Sequence, residues 1–325
     1  MTSTLLPHTP TPTRRLPAVW APLAAAGASV LAAQVVPFVG ALMWGLIVGA
    51  LIANLGRGKA ALDRQAAASK PLIRIGVALL GLQLSFSALA DVGLGAVLII
   101  IATVVATFTT TLWLGPRLGV DHDLTSLIAA GFSICGAAAI AASQDAVQAS
   151  RRSIAAAVAL VTVFGTATML AIPVLADLLH LTETEAGIWA GASIHEIAQV
   201  IASASLIGAA AAPIAIAIKL GRVIGLAPIV LTLSRRHGSA DAPGVPWFVV
   251  GFVAACLVGS TGLLPAAVVD IASVAATVLL AAGMYGLGLG LTGRELAGIG
   301  PRALVLGAVA TLVALGVPLL LLAIL

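Results

Sequence analysis

Two neighbouring ionisable residues, His195 and Glu196, lie inside a long apolar run near the middle of the chain. In a helix over residues 193–199, Ser193, Glu196 and Gln199 would share one face because they recur every three residues. A histidine beside a carboxylate in a low-dielectric setting can hold or release a proton near neutral pH. The pattern therefore predicts a proton-coupling site at His195 and Glu196, with Ser193 and Gln199 available to a substrate.

Two other interpretations of this run are open. Polar residues at this spacing also occur as packing contacts between helices. The pattern His-Glu-x-x-His binds zinc in metalloproteases, but here the fifth position is Gln199, and amides are poor zinc ligands. We therefore expect no enzymatic activity, no metal and no cofactor, and the weaker alternative is an intramembrane enzyme that uses His195, Glu196 and Cys135.

Two basic residues form a second candidate group. Lys219 and Arg222 are three residues apart, so a helix would place them on one face. Two cations against one acid favour an anionic substrate, and arginine can make two parallel hydrogen bonds to an oxyanion. The alternative is that one of these side chains reaches out to the lipid headgroups.

A glycine-rich run at 131–138 forms a third group, because its spacing allows a helix to break there. A broken helix exposes backbone N–H groups that attract anions, although the same small residues also suit tight helix packing. The predicted substrate ligands in this run are Ser133, Ile134, Cys135 and Gly136. Asn54 and Gln83, each inside another apolar run, are expected to line the same cavity.

These groups stand out because the rest of the chain is so apolar. Of the 325 residues, 61% are hydrophobic and 9% charged, and the mean hydropathy is +1.16. A soluble protein carries about 25% charged residues, so the composition excludes a soluble enzyme, a disordered protein and a nucleic-acid-binding domain. A charge at the bilayer centre costs at least about 2.5–3.5 kcal/mol, so each embedded charge should have a partner and a role.

The length of the apolar runs predicts an all-α polytopic membrane protein. A membrane-crossing helix needs about 20 apolar residues, and the runs here are continuous rather than alternating as in β-barrel strands. Residues 1–17 are rich in Pro and Thr and are predicted to form a disordered cytoplasmic tail before a single transmembrane domain at 18–325. The predicted membrane segments are 18–37, 40–56, 71–90, 93–115, 124–144, 153–176, 186–210, 212–234, 246–264, 267–291 and 302–325.

The positions of the basic residues bear on how these segments cross. If all of them cross, Arg151 and Arg152 fall outside the cell and the acidic loop 177–185 falls inside, against the usual cytoplasmic excess of Lys and Arg. If 124–144 and 186–210 instead enter and leave on one side, every Lys and Arg in a loop falls inside. We therefore predict that these two segments are re-entrant or broken and that the N-terminus is cytoplasmic.

The sequence also contains two internal similarities. Residues 81–87 resemble 286–292, in segments predicted to run in opposite directions, and residues 131–134 resemble 191–194 on the two segments predicted to be broken. Inverted repeats with paired interrupted helices indicate a secondary transporter with its site near the membrane midplane. Low sequence complexity makes chance matches the alternative explanation.

Several of these runs, taken together, resemble the bacterial sulfate exporter family, a set of conserved inner-membrane proteins that is otherwise uncharacterised. The resemblance begins near residue 38 and keeps the order of the family's motifs. It rests on Leu72–Gly76 with Gly81–Phe86, Ser133–Ala137, Ile194–Val200, Lys219–Val223 and Val245–Phe248. The resemblance implies a secondary transporter with crossed, broken helices that carries sulfate or a related small sulfur oxyanion. The family often has a basic residue where this chain has Gln83, which puts the anion preference in doubt.

We therefore expect a proton-coupled secondary transporter of a small anion, such as sulfate or an organosulfonate, that exports its substrate by alternating access. The expected location is the bacterial inner membrane, and the expected partners are the anionic substrate, H⁺ and the lipid bilayer. A homodimer is left open, and an anion channel is the alternative function.

Overall fold

The computed structural model describes residues 19–36, 39–55, 59–83, 92–237, 247–289 and 300–325, and the regular structure in these ranges is helical. The predicted all-α membrane fold is therefore confirmed. The predicted tail at 1–17 lies outside the described residues. Five helices in the described ranges are long and apolar enough to cross a membrane, namely Leu94–Arg117, Arg151–Leu178, Ala211–Arg236, Ala266–Gly288 and Pro301–Leu322.

The helices of the described ranges are numbered α1 to α14 along the chain. They are α1 (Trp20–Val35), α2 (Ala41–Asn54), α3 (Lys59–Leu80), α4 (Leu94–Arg117), α5 (His122–Ser133), α6 (Ala137–Ser143), α7 (Arg151–Leu178), α8 (Glu183–Ser193), α9 (Ile197–Ile207), α10 (Ala211–Val223), α11 (Leu226–His237), α12 (Trp247–Ser260), α13 (Ala266–Gly288) and α14 (Pro301–Leu322). A 3₁₀ turn at Gly81–Gln83 comes directly after α3, which starts well before the predicted segment 71–90. Only Ile224 and Gly225 separate α10 from α11, so the two form one span.

Both segments that the sequence predicts to be interrupted are broken near their middle. The first stops at the end of α5 and restarts at α6, and the second stops at the end of α8 and restarts at α9. At the first break Gly136 has φ of +73°, a left-handed conformation that a residue with a side chain rarely adopts. The second break has no such glycine and uses extended backbone at Ile194 (ψ 145°) and Glu196 (ψ 149°).

Each broken segment also returns to the side from which it came. Asp123, at the start of α5, accepts a hydrogen bond at Oδ2 from the N–H of Ser150, the residue before α7, at 3.0 Å. Glu183, at the start of α8, accepts at Oε2 from the N–H of Ala210, the residue before α10, at 2.8 Å. The predicted breaks are thus confirmed, and the two ends of each segment lie side by side, as a re-entrant path requires. We call residues 122–150 the first hairpin and residues 183–210 the second hairpin.

The two hairpins enter the protein from opposite ends. Helix α7 connects them, and its 28 residues extend over roughly 40 Å. The mouth of the first hairpin lies at the start of α7 and the mouth of the second at its end. Their broken middles therefore approach each other inside the protein.

The predicted similarity between the two ends of the chain has a counterpart in the packing. A Cβ atom on Gly81 would contact the carbonyl of Phe252 on α12, and a Cβ atom on Gly288 would contact the carbonyl of Leu46 on α2. The same kind of close approach thus occurs twice, once for each proposed repeat. The predicted pairing of residues 81–87 with 286–292 stays a prediction, because residues 84–87 and 290–292 lie outside the described residues.

Helices α3 and α13 run antiparallel, as the corresponding members of an inverted repeat must. Near one end the Ser273 hydroxyl donates to Gln83 Oε1 at 3.2 Å. Towards the other end the Tyr285 hydroxyl donates to Gln65 Oε1 at 2.7 Å. These bonds fix the register of α13 on α3, which places Gln83 beside the interior of the bundle.

Candidate functional site

Lys219 and Arg222 on α10 lie where α5 and α8 end, and both side chains are completely buried (0% exposed). Lys219 Nζ donates to the carbonyls of Ile134 and Ile194 at 2.8 and 2.6 Å. One ammonium group therefore joins the break of the first hairpin to the break of the second.

Arg222 makes the same connection with more bonds. Its acceptors are the carbonyls of Ser133 (Nε, 3.2 Å), Phe132 (Nη2, 2.9 Å), Ala192 (Nη1, 2.7 Å) and Ile194 (Nη1, 3.3 Å). The last carbonyls of a helix have no partner within the helix, and a cation at this end also complements the negative end of the helix dipole. Arg222 thus satisfies the C-terminal ends of both half-helices at once.

Glu196 lies at helix N-termini instead. Its Oε1 accepts from the N–H of Ala137, where α6 starts, at 3.4 Å. With Gln199 it also forms a capping box at the start of α9, in which Gln199 Oε1 accepts from the N–H of Glu196 at 3.3 Å. A carboxylate is favoured at helix N-termini, so the acid lies where two half-helices begin and the cations lie where two others end.

Two glycines make room for this carboxylate. A Cβ atom on Gly136 would lie 2.6 Å from Glu196 Cγ, and one on Gly40 would lie 2.9 Å from Glu196 Oε2. Any side chain at either position would push Glu196 away from the helix ends that it caps. The glycine at the first break therefore provides both the left-handed backbone and the space for the acid of the second hairpin.

A cavity of about 240 Å³ opens beside Glu196 and Lys219. These two are the charged residues among its described lining, and no ion pair between them occurs in the described part of the chain. The other polar lining residues are Gln83, Cys135, Ser273 and Thr277. The remaining lining is apolar or glycine and comes mainly from the start of α2, the end of α3, α9, α10 and α13.

Of the predicted site residues, Gln83, Cys135, Glu196 and Lys219 line this cavity. Arg222 does not belong to the lining, because its guanidinium faces the carbonyls of the two breaks. The backbone groups that the breaks present to Lys219 and Arg222 are carbonyls, whereas the sequence predicts that the first break would offer N–H groups to an anion. Whether any of these residues binds substrate stays a prediction.

Several other predicted residues lie away from the cavity. Ser133 Oγ donates to the carbonyl of Ala129 within its own helix at 2.6 Å, and the Ser193 side chain is fully buried at the end of α8. Asn54 lies at the end of α2 and donates to Ala50 at 2.7 Å. None of these side chains is among the cavity lining.

The two other predicted residues of the second hairpin, His195 and Gln199, also face away from the cavity. The His195 ring packs against the Phe132 ring, with centroids 4.5 Å apart, and its Nε2 is 3.3 Å from Thr311 Oγ1 on α14. Gln199 Nε2 donates to α7, at the carbonyl of Thr162 and the hydroxyl of Thr166. His195 and Glu196 are neighbours in the chain, but their side chains face different surroundings.

Part of the lining was not predicted from the sequence. Gly40, Ala41 and Leu42 contribute from the start of α2, which carries no side-chain cap. Ser273 and Thr277 contribute from α13. Ser273 and Thr277 are four residues apart in an apolar run. This spacing puts both on one helix face, so the sequence could have indicated them as lining residues.

Comparison with known proteins shows extensive similarity to one group of membrane proteins. The model of the family described as conserved hypothetical protein 698 matches residues 18–307. A UPF0324 membrane protein of Corynebacterium glutamicum is 38% identical over 274 residues, covering 82% of this chain and 79% of the relative. One of Pseudomonas putida is 35% identical over 286 residues (83% and 81%), and the UPF0324 inner membrane protein YeiH of Salmonella typhimurium is 38% identical over 233 residues (68% and 67%). No solved structure matches.

Proposed function

The chain belongs to the family of UPF0324 membrane proteins, and we propose that it is a secondary active transporter that moves a small anion together with a proton. The observation that carries this proposal is the shared cavity of Glu196 and Lys219, two charged and buried groups at the meeting point of the two hairpins. In this proposal the cavity binds a ligand and releases it unchanged.

The arrangement of the hairpins supports a carrier. Broken helices that enter from opposite ends and meet near the middle are typical of transporters that work by alternating access. A carboxylate bond lies across each mouth, from Asp123 to Ser150 and from Glu183 to Ala210. Such closures can open one at a time, as alternating access requires.

The balance of buried charge supports an anionic ligand. Lys219 and Arg222 carry two positive charges against one carboxylate, Glu196. An ammonium group has three N–H donors, and Lys219 uses two of them on backbone carbonyls. The third is available to a ligand in the cavity that Lys219 lines.

The position of Glu196 supports proton coupling. An anion that enters the cavity brings a negative charge next to this carboxylate, where the dielectric constant is low and repulsion is strong. Protonation of Glu196 removes that repulsion, so the anion and a proton bind together. An inward proton gradient would then drive uptake, and export would need a substrate gradient large enough to oppose it.

The test measures proton movement in proteoliposomes that enclose a pH-sensitive dye. An inward gradient of methanesulfonate or sulfate is imposed, and the full chain is compared with Glu196→Gln, which keeps the size of the side chain but cannot carry the proton. We expect anion-driven acidification of the lumen with the native protein and at least a tenfold slower rate with Glu196→Gln.

The matched control is Asp270→Asn, which removes an exposed carboxylate on α13 and should leave the rate unchanged. Acidification that persists in Glu196→Gln would refute the coupling site. Anion flux without proton movement, at rates that do not saturate, would favour the anion channel instead.

A further inference from the structure

We infer that the cavity selects a small organic monoanion with an apolar body over an inorganic dianion such as sulfate. This inference rests on the proposed function and names the substrate class of the same site. It is drawn from the chemistry of the lining, which is unsuited to a compact, strongly hydrated ion.

Among the described lining residues, Lys219 is the one cation. Lys219 reaches the cavity with one N–H left after its two carbonyl bonds. Arg222 is excluded because it makes four bonds to carbonyls of the two breaks and does not belong to the lining. A single ammonium group matches one negative charge, and the second charge of a dianion would be left uncompensated at high cost.

The described lining also offers few other side-chain donors. The Ser273 hydroxyl already donates to Gln83 Oε1, and the Thr277 hydroxyl donates to the Ser273 carbonyl at 3.0 Å. The Gln83 amide nitrogen, which has two N–H groups, is therefore the main neutral side-chain donor of the described lining. A sulfate ion with four oxygen atoms would lose its hydration shell here without receiving equivalent bonds from these side chains.

The rest of the surface suits a hydrocarbon body. The apolar side chains that surround the cavity come from six helices and include Leu42, Leu80, Ile197, Ile201, Leu220 and Leu280. Burial of apolar ligand surface against such side chains is favourable. In this inference the anionic head binds to Lys219 and Gln83, and the body packs against the apolar lining.

The test measures binding to the purified full chain by titration calorimetry, with linear alkanesulfonates from methanesulfonate to hexanesulfonate, the matching alkanoates, and sulfate. We expect affinity to rise about fourfold with each added methylene until the cavity is full, as burial of one methylene implies, and then to fall. We expect sulfate to bind at least tenfold more weakly than butanesulfonate.

A matched pair of variants tests whether the dependence of affinity on chain length arises in this cavity. Ala138→Leu adds volume inside the cavity, since Ala138 belongs to the lining, and should shorten the longest chain accepted while methanesulfonate still binds. Ala267→Leu makes the same substitution on the exposed side of α13 and should leave the series unchanged.

Two results would overturn the inference. One is sulfate binding more tightly than butanesulfonate, and the other is an affinity that does not depend on chain length, including no affinity for any of the organic anions. Neither result bears on Glu196, because the proton test above uses sulfate as well as methanesulfonate. Failure of the substrate class and failure of proton coupling can therefore be told apart.

Discussion

The first and second hairpins are built to the same plan but contribute different things to the site. In both, a carboxylate at the mouth accepts from a backbone N–H that is 27 residues further along the chain, just before the next long helix. In both, the first half-helix ends on a serine, at Ser133 and Ser193, and its last carbonyls are held by Lys219 and Arg222.

The two hairpins differ in the residues that come after each serine. The first hairpin restarts with Gly136 and supplies space, since any side chain there would collide with Glu196. The second restarts with Glu196, which caps its own helix α9 and reaches across to the start of α6. The two halves thus share a scaffold, but the carboxylate that lines the cavity comes from the second hairpin.

The comparison implies that the cations belong to the shared scaffold, and replacement of Arg222 gives the largest expected effect. Arg222→Met keeps the volume but leaves several buried carbonyls of both breaks without a donor, which should cost about 3–5 kcal/mol of stability. Thermal unfolding in detergent measures this loss. Arg235→Met, at an exposed position on α11, is the control, and equal melting temperatures for the two variants would show that the carbonyl bonds do not hold the breaks together.

The second prediction concerns the space that the first hairpin provides. Gly136→Ala forces an L-residue into φ of +73° and sets its Cβ 2.6 Å from Glu196 Cγ, which should cost about 1–3 kcal/mol and displace the carboxylate. Gly27→Ala is the matched control, since a Cβ at Gly27 has nothing within 4 Å. We expect anion-driven proton movement to be lost in the first variant and kept in the second. If Gly136→Ala transports normally, the glycine is not needed to position Glu196.

The third prediction tests whether the two mouths are equivalent. Asp123→Asn and Glu183→Gln each weaken the charged hydrogen bond across one mouth, which should cost about 1 kcal/mol or slightly more. Cys135 lines the cavity, so its labelling by a membrane-impermeant thiol reagent reports access once Cys256 is replaced by Ala. We expect Asp123→Asn to increase labelling from one face of the membrane and Glu183→Gln from the other. An increase from the same face in both variants would contradict the opposed hairpins.

How far the sequence alone could predict this site depends on the range of the interactions. The two breaks were predictable because their signals are local, namely the serine and glycine run near 133 and the embedded charges near 195. The partners of Arg222 were not, because its acceptors lie 28 to 90 residues away and only the folded chain brings them together. An arginine inside an apolar run must have hydrogen-bond acceptors, but the sequence does not show whether these acceptors are carbonyls or a ligand.

His195 illustrates the same limit and gives the prediction with the smallest expected effect. The sequence places it beside Glu196, yet the fold turns its ring towards Phe132 and Thr311 and away from the cavity lining. His195→Gln should therefore cost about 1 kcal/mol of stability through the altered contact with Thr311, while the pH dependence of proton movement stays that of the native protein. The control is Thr311→Val, which removes the same contact from the other side. A shifted pH profile in His195→Gln but not in Thr311→Val would show that His195 takes part in proton coupling. The coupling site of the second hairpin would then consist of His195 and Glu196 rather than Glu196 alone.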